Sequence, residues 1–325
     1  MKVVAYSIKT FEKKLLVDAN QRKHDITLIS NLLRFNTVAF AEGKEAVIVS
    51  SNDDLSAEVI NKLADLGVKY ISTRSAGTDQ IDLNAAAERN IQVASVPVYS
   101  PVAIAEHAVA LSMSLDRHLT QANENSHHFN FKLDGLIGFN FNGKTVGIIG
   151  LGSIGRAAAA IFNGMGCHVI GYDLIVSDDL KHITQVSLNE LLHESDIISL
   201  HLPLTPETKY IINASTIATM KDGVMLINTA RGALIKTIDL SPALDSGKIG
   251  YLGLDVYEYE KDLFSQDHSM DAGKDPLLTK LLTYPNVLIT PHQAFLTKEA
   301  LKQIAILTIK NLDLWQKSGS SSAED

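Results

Sequence analysis

The chain has 325 residues, more than one hydrophobic core usually holds, so two α/β domains are expected. Apolar residues make up 46%, enough for two cores, and 37 acidic against 29 basic side chains leave a formal charge of -8. That mild acidity excludes nucleic acid and anionic lipid as main partners, and the single cysteine, Cys167, excludes an intrachain disulfide or a multi-cysteine metal site; no metal is expected.

The start, MKVVAYSIKTFEKK, lacks the apolar core of a signal peptide. No apolar run reaches the ~18 residues of a membrane span, so a cytoplasmic protein without a membrane partner is expected. Short Val- and Ile-rich runs alternate with amphipathic stretches, the pattern of parallel sheets covered by helices on both faces. Strands are predicted at 3–6, 46–49, 70–73 and 92–94, with helices at 57–66 and 83–89, which together make a small doubly wound domain. From Pro101 the pattern changes: 103–119 is a long helical run, expected to bridge or pair subunits, and a looser segment, 127–144, follows.

Six further strands, 145–149, 168–172, 197–200, 224–228, 250–255 and 287–290, give a dinucleotide fold of ordinary size. Cys167 precedes the second of these in apolar surroundings and is expected to be a core thiol. The polar stretch 261–274 reads as an inserted loop, and 296–315 as an amphipathic helix opening after Thr297 with Glu299 in its first turn. The chain is inferred to return to its first domain there, so residues 1–100 and 296–325 form one domain and 101–295 the other. The final SGSSSAED is expected to fray.

The strongest local signal is KTVGIIGLGSIGRAAAAIFNGMGCHVIGYD, which places Gly150, Gly152 and Gly155 between a strand and a helix and ends a second strand at Asp173. Gly150 would permit the tight turn, Gly152 the approach of a pyrophosphate, and Gly155 close packing of helix on sheet. The amides of Ser153 and Ile154 would meet the phosphates at the positive end of the helix. Asp173, about 20 positions on, suits a carboxylate that accepts both adenosine ribose hydroxyls and repels a 2′-phosphate. No Arg follows in Leu174-Ile175-Val176-Ser177, so NAD is expected rather than NADP.

Three later blocks, NTARGALI, GLDVYEYE and NVLITPHQAF, each run from a strand into polar residues, where open α/β sheets bind ligands. Arg231, Asp255, Glu260 and His292 should converge there. Reduction of a 2-keto acid needs a grip on its carboxylate, which the Arg231 fork can supply, and a proton for its carbonyl, which His292 can supply. A Glu partner would raise the His pKa, but Glu258 and Glu260 flank Tyr259 and spacing does not choose between them. His201, at the end of DIISLH, reads as a packing residue or a cofactor neighbour.

The ordered blocks AYSIKTFEKK, STRSAGTDQID, VPVYSPVAIAEHAV, GLGSIG, SLHLPLTPET, NTARGAL, GLDVYEYEKDLF and TPHQAFLT span nearly the whole chain. In them the sequence resembles the D-isomer-specific 2-hydroxyacid dehydrogenase family, and within it the bacterial fermentative D-lactate dehydrogenases. The resemblance implies a flavodoxin-like substrate domain and a Rossmann NAD-binding domain with a cleft between them and hinges near Pro101 and Phe295. It implies Arg231, Glu260 and His292 at the reacting centre, choosing Glu260 over Glu258. It further implies that the amides of Ala76 and Gly77 hold the substrate carboxylate, with Tyr99 nearby. Leu202, Pro203, Thr208, Thr229, Ala230 and Asp255 would line the NAD site, with Asp255 near the nicotinamide carboxamide.

The activity so implied is reduction of pyruvate to D-lactate by NADH in a homodimer. A dehydrogenase for a bulkier 2-keto acid stands as the alternative, with Tyr99 and Phe295 as hints toward a small pocket. A serine-pathway phosphoglycerate dehydrogenase would need a regulatory domain after Trp315, and a formate dehydrogenase would lack the Glu partner. An NAD-sensing protein resembling the transcriptional corepressors of this fold is the rival from another class.

Overall fold

The computed structural model describes residues 1–175, 183–261, 263–264, 266–271 and 273–321. Val176 and Ser177 of the expected NAD-selective turn, part of the 261–274 loop, and residues 322–325 of the polar tail lie outside the described residues. The chain forms two compact units, Met1–Ser100 with Leu296–Asp325, and Pro101–Phe295.

The first unit is built from β1 (Lys2–Ala5), α1 (Thr10–Asn20), β2 (Asp25–Leu28), β3 (Ala46–Val49), α2 (Ala57–Asp65), β4 (Tyr70–Thr73), α3 (Leu83–Glu88) and β5 (Gln92–Ala94). Its five strands are parallel in the order β2-β1-β3-β4-β5. Successive residues of β1 serve opposite faces: Val4 packs with Val47, Ile60 and Leu63, whereas Val3 and Ala5 pack with Ile48, Leu16 and Leu312. Burial on both sides explains why β3 is an unbroken AVIV run rather than an alternating one. The edge strand β2 and helix α1 were not foreseen, because DITL alternates only between exposed and half-buried residues and α1 buries Leu16 alone.

In the second unit, α4 (Pro101–Asp116) ends three residues before the expected Leu119, and α5 (Leu119–His127) follows a left-handed His118. The small and branched side chains of α4, Ala105, Ala108, Leu111 and Leu115, pack into this unit's own core beside Val146, Ile148 and Phe162. There follow β6 (Thr145–Ile149), α6 (Ser153–Gly164), β7 (His168–Tyr172), β8 (Thr184–Gln185), α7 (Leu188–Glu194), β9 (Ile197–Leu200), α8 (Ala214–Thr219), β10 (Val224–Asn228), α9 (Leu240–Asp245), β11 (Ile249–Leu254), α10 (Pro276–Leu281) and β12 (Val287–Ile289). The sheet has seven parallel strands, one more than predicted, in the order β12-β11-β10-β9-β6-β7-β8. The extra β8 is a two-residue edge strand, too short to leave a pattern. Strand order reverses at β6 and β9, so the crevice beyond their carboxyl ends is the natural ligand position. Cys167 is buried, its thiol donates to the Phe141 carbonyl at 3.3 Å, and burial pushes its pKa up, as a core thiol requires.

The chain ends in α11 (Lys298–Ser321), which belongs to the first unit. The Thr297 hydroxyl caps it by accepting from the Ala300 amide at 3.2 Å. The helix runs through Ser321, so the first half of the tail expected to fray continues as helix. Trp315 stacks on Tyr70 at 4.9 Å between centroids, and Asn311 donates to Ser72 and to the Ser95 carbonyl, both at 3.2 Å. No helix among the described residues is long and apolar enough to cross a membrane.

Because Leu312 is fully buried against β1 and β3 residues, truncating it opens a cavity in the first unit. Leu312→Ala is expected to cost about 2–5 kcal/mol, read as a lower midpoint in chemical denaturation.

Candidate active site

The glycine turn after β6 assigns a different task to each glycine. Gly150 has φ +99, and a Cβ there would lie 2.6 Å from the His201 carbonyl oxygen, so the turn passes directly against the end of β9. At Gly155 a Cβ would fall 1.8 Å from the Gly150 carbonyl oxygen, which makes its absence the condition for α6 to rest on β6. Gly152 differs: a Cβ there meets nothing within 4 Å. Nothing in the protein requires a glycine at that point, whereas a ligand seated on the turn would. No side chain caps α6, so the amides of Ser153 and Ile154 are available at its start.

Asp173 closes the turn from the end of β7. Its carboxylate accepts the Leu151 amide at 2.7 Å and the Ile175 amide at 3.1 Å. At the ends of β9 and β10, the His201 Nδ1 and the Thr229 hydroxyl are buried without a hydrogen-bond partner among the described residues. His201 bonds Ser199 through Nε2 at 2.9 Å, and burial lowers its pKa to about 4, so the ring is neutral. Leu202 is buried and Pro203 exposed. Thr208 is committed to its own loop, donating to the Pro203 carbonyl at 2.7 Å and accepting the Thr205 amide at 2.8 Å. The Ala230 amide donates to Asn228 Oδ1 at 3.0 Å. Open space at Gly152, uncapped helix amides, a carboxylate at the next strand end and two orphaned buried polar atoms fit a dinucleotide.

Beyond β10, β11 and β12 the second unit brings Arg231, Glu260 and His292 together. Glu260 Oε1 lies 2.8 Å from His292 Nδ1, and its Oε2 accepts the Tyr257 amide at 2.9 Å. Glu258 is turned elsewhere, accepting from the Tyr210 hydroxyl at 2.5 Å and the Thr237 amide at 2.9 Å. The structure therefore separates two carboxylates that spacing could not. Burial works to depress the His292 pKa, but the hydrogen bond and charge of Glu260, with the charge of Asp255, outweigh burial and the opposing Arg231 charge, so the pKa stands above its ordinary value. Arg231 Nη1 donates to the Ala230 carbonyl at 2.8 Å, and a Cβ on Gly232 would lie 2.1 Å from the Tyr257 carbonyl carbon, so this turn lies against the Glu260 loop.

Asp255 directly follows the last residue of β11. It is fully buried, and its oxygens accept the Thr290 hydroxyl at 2.5 Å, the Gln293 amide at 2.9 Å and the Ala294 amide at 2.8 Å. The hydrogen bond of His107, with these bonds, offsets burial and holds its pKa below the usual carboxylate range. His292 itself has φ 55, a left-handed conformation costing roughly 1–3 kcal/mol in a residue with a Cβ, so the surrounding bonds must enforce it. His107, Thr290, Tyr210 and Thr237 support this centre but escaped the sequence reading. The only signal was AEH in a helix and T before PH, neither with a spacing that implies contact.

Ala76, Gly77 and Tyr99 belong to the first unit. The Ala76–Gly77 turn follows β4 and is held by the Ser75 hydroxyl, which donates to the Gly77 carbonyl at 2.8 Å. Two residues before it, Arg74 is buried and donates to the Tyr6 carbonyl at 3.0 Å and to Glu12 and the Ser7 carbonyl at 3.2 Å, fixing the strand end from which the turn departs. Ala76 is exposed, while Gly77 and Tyr99 are half-buried.

Residues 109–294 match the family described as D-isomer specific 2-hydroxyacid dehydrogenase, NAD binding domain. The chain is 43% identical over 320 residues to a D-lactate dehydrogenase of Escherichia coli, covering 98% of this chain and 97% of that one. The solved structure of a pyruvate reductase of Chlamydomonas reinhardtii superposes with a TM-score of 0.90 at 44% identity, over 96% of this chain and 95% of that one. A D-lactate dehydrogenase of Aquifex aeolicus, solved with NAD and lactic acid, superposes with a TM-score of 0.88 at 34% identity, over 97% and 96% of the two chains. With this agreement over nearly its whole length, and with a turn built to receive a dinucleotide, the chain belongs to the D-isomer specific 2-hydroxyacid dehydrogenase family as an NAD-dependent enzyme.

Proposed function

We propose that the enzyme reduces pyruvate to D-lactate, reversibly, with Arg231, Glu260 and His292 as the groups that act on the substrate. The observation that carries this reading is the 2.8 Å pair of His292 Nδ1 and Glu260, with the Arg231 charge bearing on the same imidazole. Bound NADH, held by the glycine turn, the amides of Ser153 and Ile154 and the Asp173 carboxylate, supplies the hydride. Arg231 grips the substrate carboxylate with its planar fork. Glu260 fixes Nδ1 of His292, which leaves Nε2 to deliver the proton to the carbonyl oxygen. In the reverse direction the same nitrogen accepts that proton from the hydroxyl.

Pyruvate is preferred because relatives at 43–44% identity include ones named D-lactate dehydrogenase and pyruvate reductase. Leu202, Pro203, Thr208, Thr229 and Ala230 flank the cofactor in this reading, and Asp173 selects NADH over NADPH by repelling a 2′-phosphate. Phe129, Phe131, Leu133 and Ile137, all strongly exposed, favour a homodimer through the segment after α5.

NADH oxidation followed against pyruvate, branched-chain and aromatic 2-keto acids, with the chirality of the product determined, tests the assignment. Fast turnover of pyruvate to the D-isomer is expected; preference for a bulky keto acid replaces the substrate, and no turnover of any keto acid refutes the reading. His292→Asn should lower kcat by about a hundredfold or more while NADH still binds. The pH dependence has a definite sign. Reduction needs the imidazolium, so it persists below the raised His292 pKa and declines as pH climbs through it. In Glu260→Gln the decline should move to lower pH, since only the charge of Asp255 then opposes burial and Arg231; an unmoved profile contradicts the pairing. Gly152→Ala should keep its melting temperature but bind NADH roughly ten- to hundredfold more weakly, the about 1–3 kcal/mol that an inserted methyl costs in a packed contact. Gly155→Ala should instead lose stability, measurable by thermal unfolding.

A further inference from the structure

His107 lies on α4, which packs against β11 and β12, and its Nε2 is 3.0 Å from the Thr290 hydroxyl and 3.3 Å from Asp255 Oδ1. The direction of these bonds follows from counting hydrogens. Thr290 has one hydroxyl hydrogen, and the 2.5 Å approach to the Asp255 carboxylate, which has none to give, commits it there. The Thr290 oxygen can then only accept, so His107 Nε2 carries the hydrogen. Asp255 Oδ1 thus gathers the Thr290 hydroxyl, the Gln293 amide and the flank of the His107 N–H, while Oδ2 takes the Ala294 amide.

The two amides that Asp255 holds belong to the residues directly after His292. The His292 amide itself donates to the Asp255 carbonyl at 2.8 Å and the Thr290 carbonyl at 3.0 Å. The left-handed turn that carries the imidazole is therefore tied on both sides to a carboxylate with no access to solvent. Such a carboxylate keeps its geometry only while enough donors face it. His107 is the one contributor from outside this stretch of chain among the bonds described, and it joins α4 to the turn.

We propose that His107 is a positioning residue for the reduction: its Nε2–H, acting through Thr290 and Asp255, holds the turn that presents His292 to the substrate. This rests on the role given to His292 above. Loss of the donor lets the turn drift while the glycine turn and Asp173, on other strands, stay in place. The signature is a fall in kcat without a matching change in the KM for NADH.

The test compares His107→Phe, which keeps a ring but has no N–H, with His107→Gln, whose terminal amide can still reach Thr290. In pyruvate reduction, His107→Phe should lower kcat roughly ten- to hundredfold with the KM for NADH nearly unchanged, and His107→Gln should restore most of it. If His107→Phe does not fold, His107→Asn, whose amide is too short to reach, replaces it. An unchanged kcat in the variant lacking the donor overturns the proposal, as does equal damage in His107→Gln. His292→Asn is measured alongside. Full activity there would discard the role of His292 itself, whereas its loss beside an unaffected His107→Phe would discard only the positioning role.

Discussion

The geometry around His292 depends on one buried negative charge. Asp255 sits at the end of β11 with no solvent access, and its carboxylate is stable there only because donors from Thr290, Gln293, Ala294 and His107 surround it. In meeting that requirement the chain after β12 is drawn into a left-handed turn at a residue with a full side chain. The strain is local and the compensation is local, so the imidazole has a single orientation relative to the sheet.

Three carboxylates within the run DVYEYE illustrate how environment divides chemically similar groups. Asp255 shapes the backbone. Glu258 ties the loop to Tyr210 and Thr237, and its pKa is held below the usual range because those hydrogen bonds outweigh burial. Glu260 alone is directed at the imidazole. The same loop is anchored from behind by the Tyr257 hydroxyl, which donates to Asp275 at 2.8 Å, and Asp275 also caps α10 through the Leu278 amide. Rigid support of this kind is what a proton donor needs, since its reach must be accurate to a fraction of an ångström.

The glycine turn follows a comparable division. Two of its glycines answer to the protein, one to the carbonyl at the end of β9 and one to the packing of α6, while Gly152 answers to space that only a ligand would use. Membership in the dehydrogenase family and the cofactor-shaped turn thus lead to the same conclusion.

Much of this was legible in the residues themselves. Periodicity located the central strands to within a residue, because strands buried on both faces are continuous apolar runs, and the glycine spacing located the turn because positions 150 and 155 have no room for a Cβ. Edge strands β2 and β8 left no such trace, since they bury little. The sequence determined which residue types stand at the strand ends: an arginine, two glutamates, an aspartate and a histidine. Spacing left Glu258 and Glu260 open, and only the family resemblance pointed to Glu260, which the structure pairs with His292; the tertiary structure alone decided that Asp255 is sealed inside and that His107, far away in the chain, touches Thr290. Hydrogen bonds between distant segments depend on side-chain direction and burial, which local spacing does not encode.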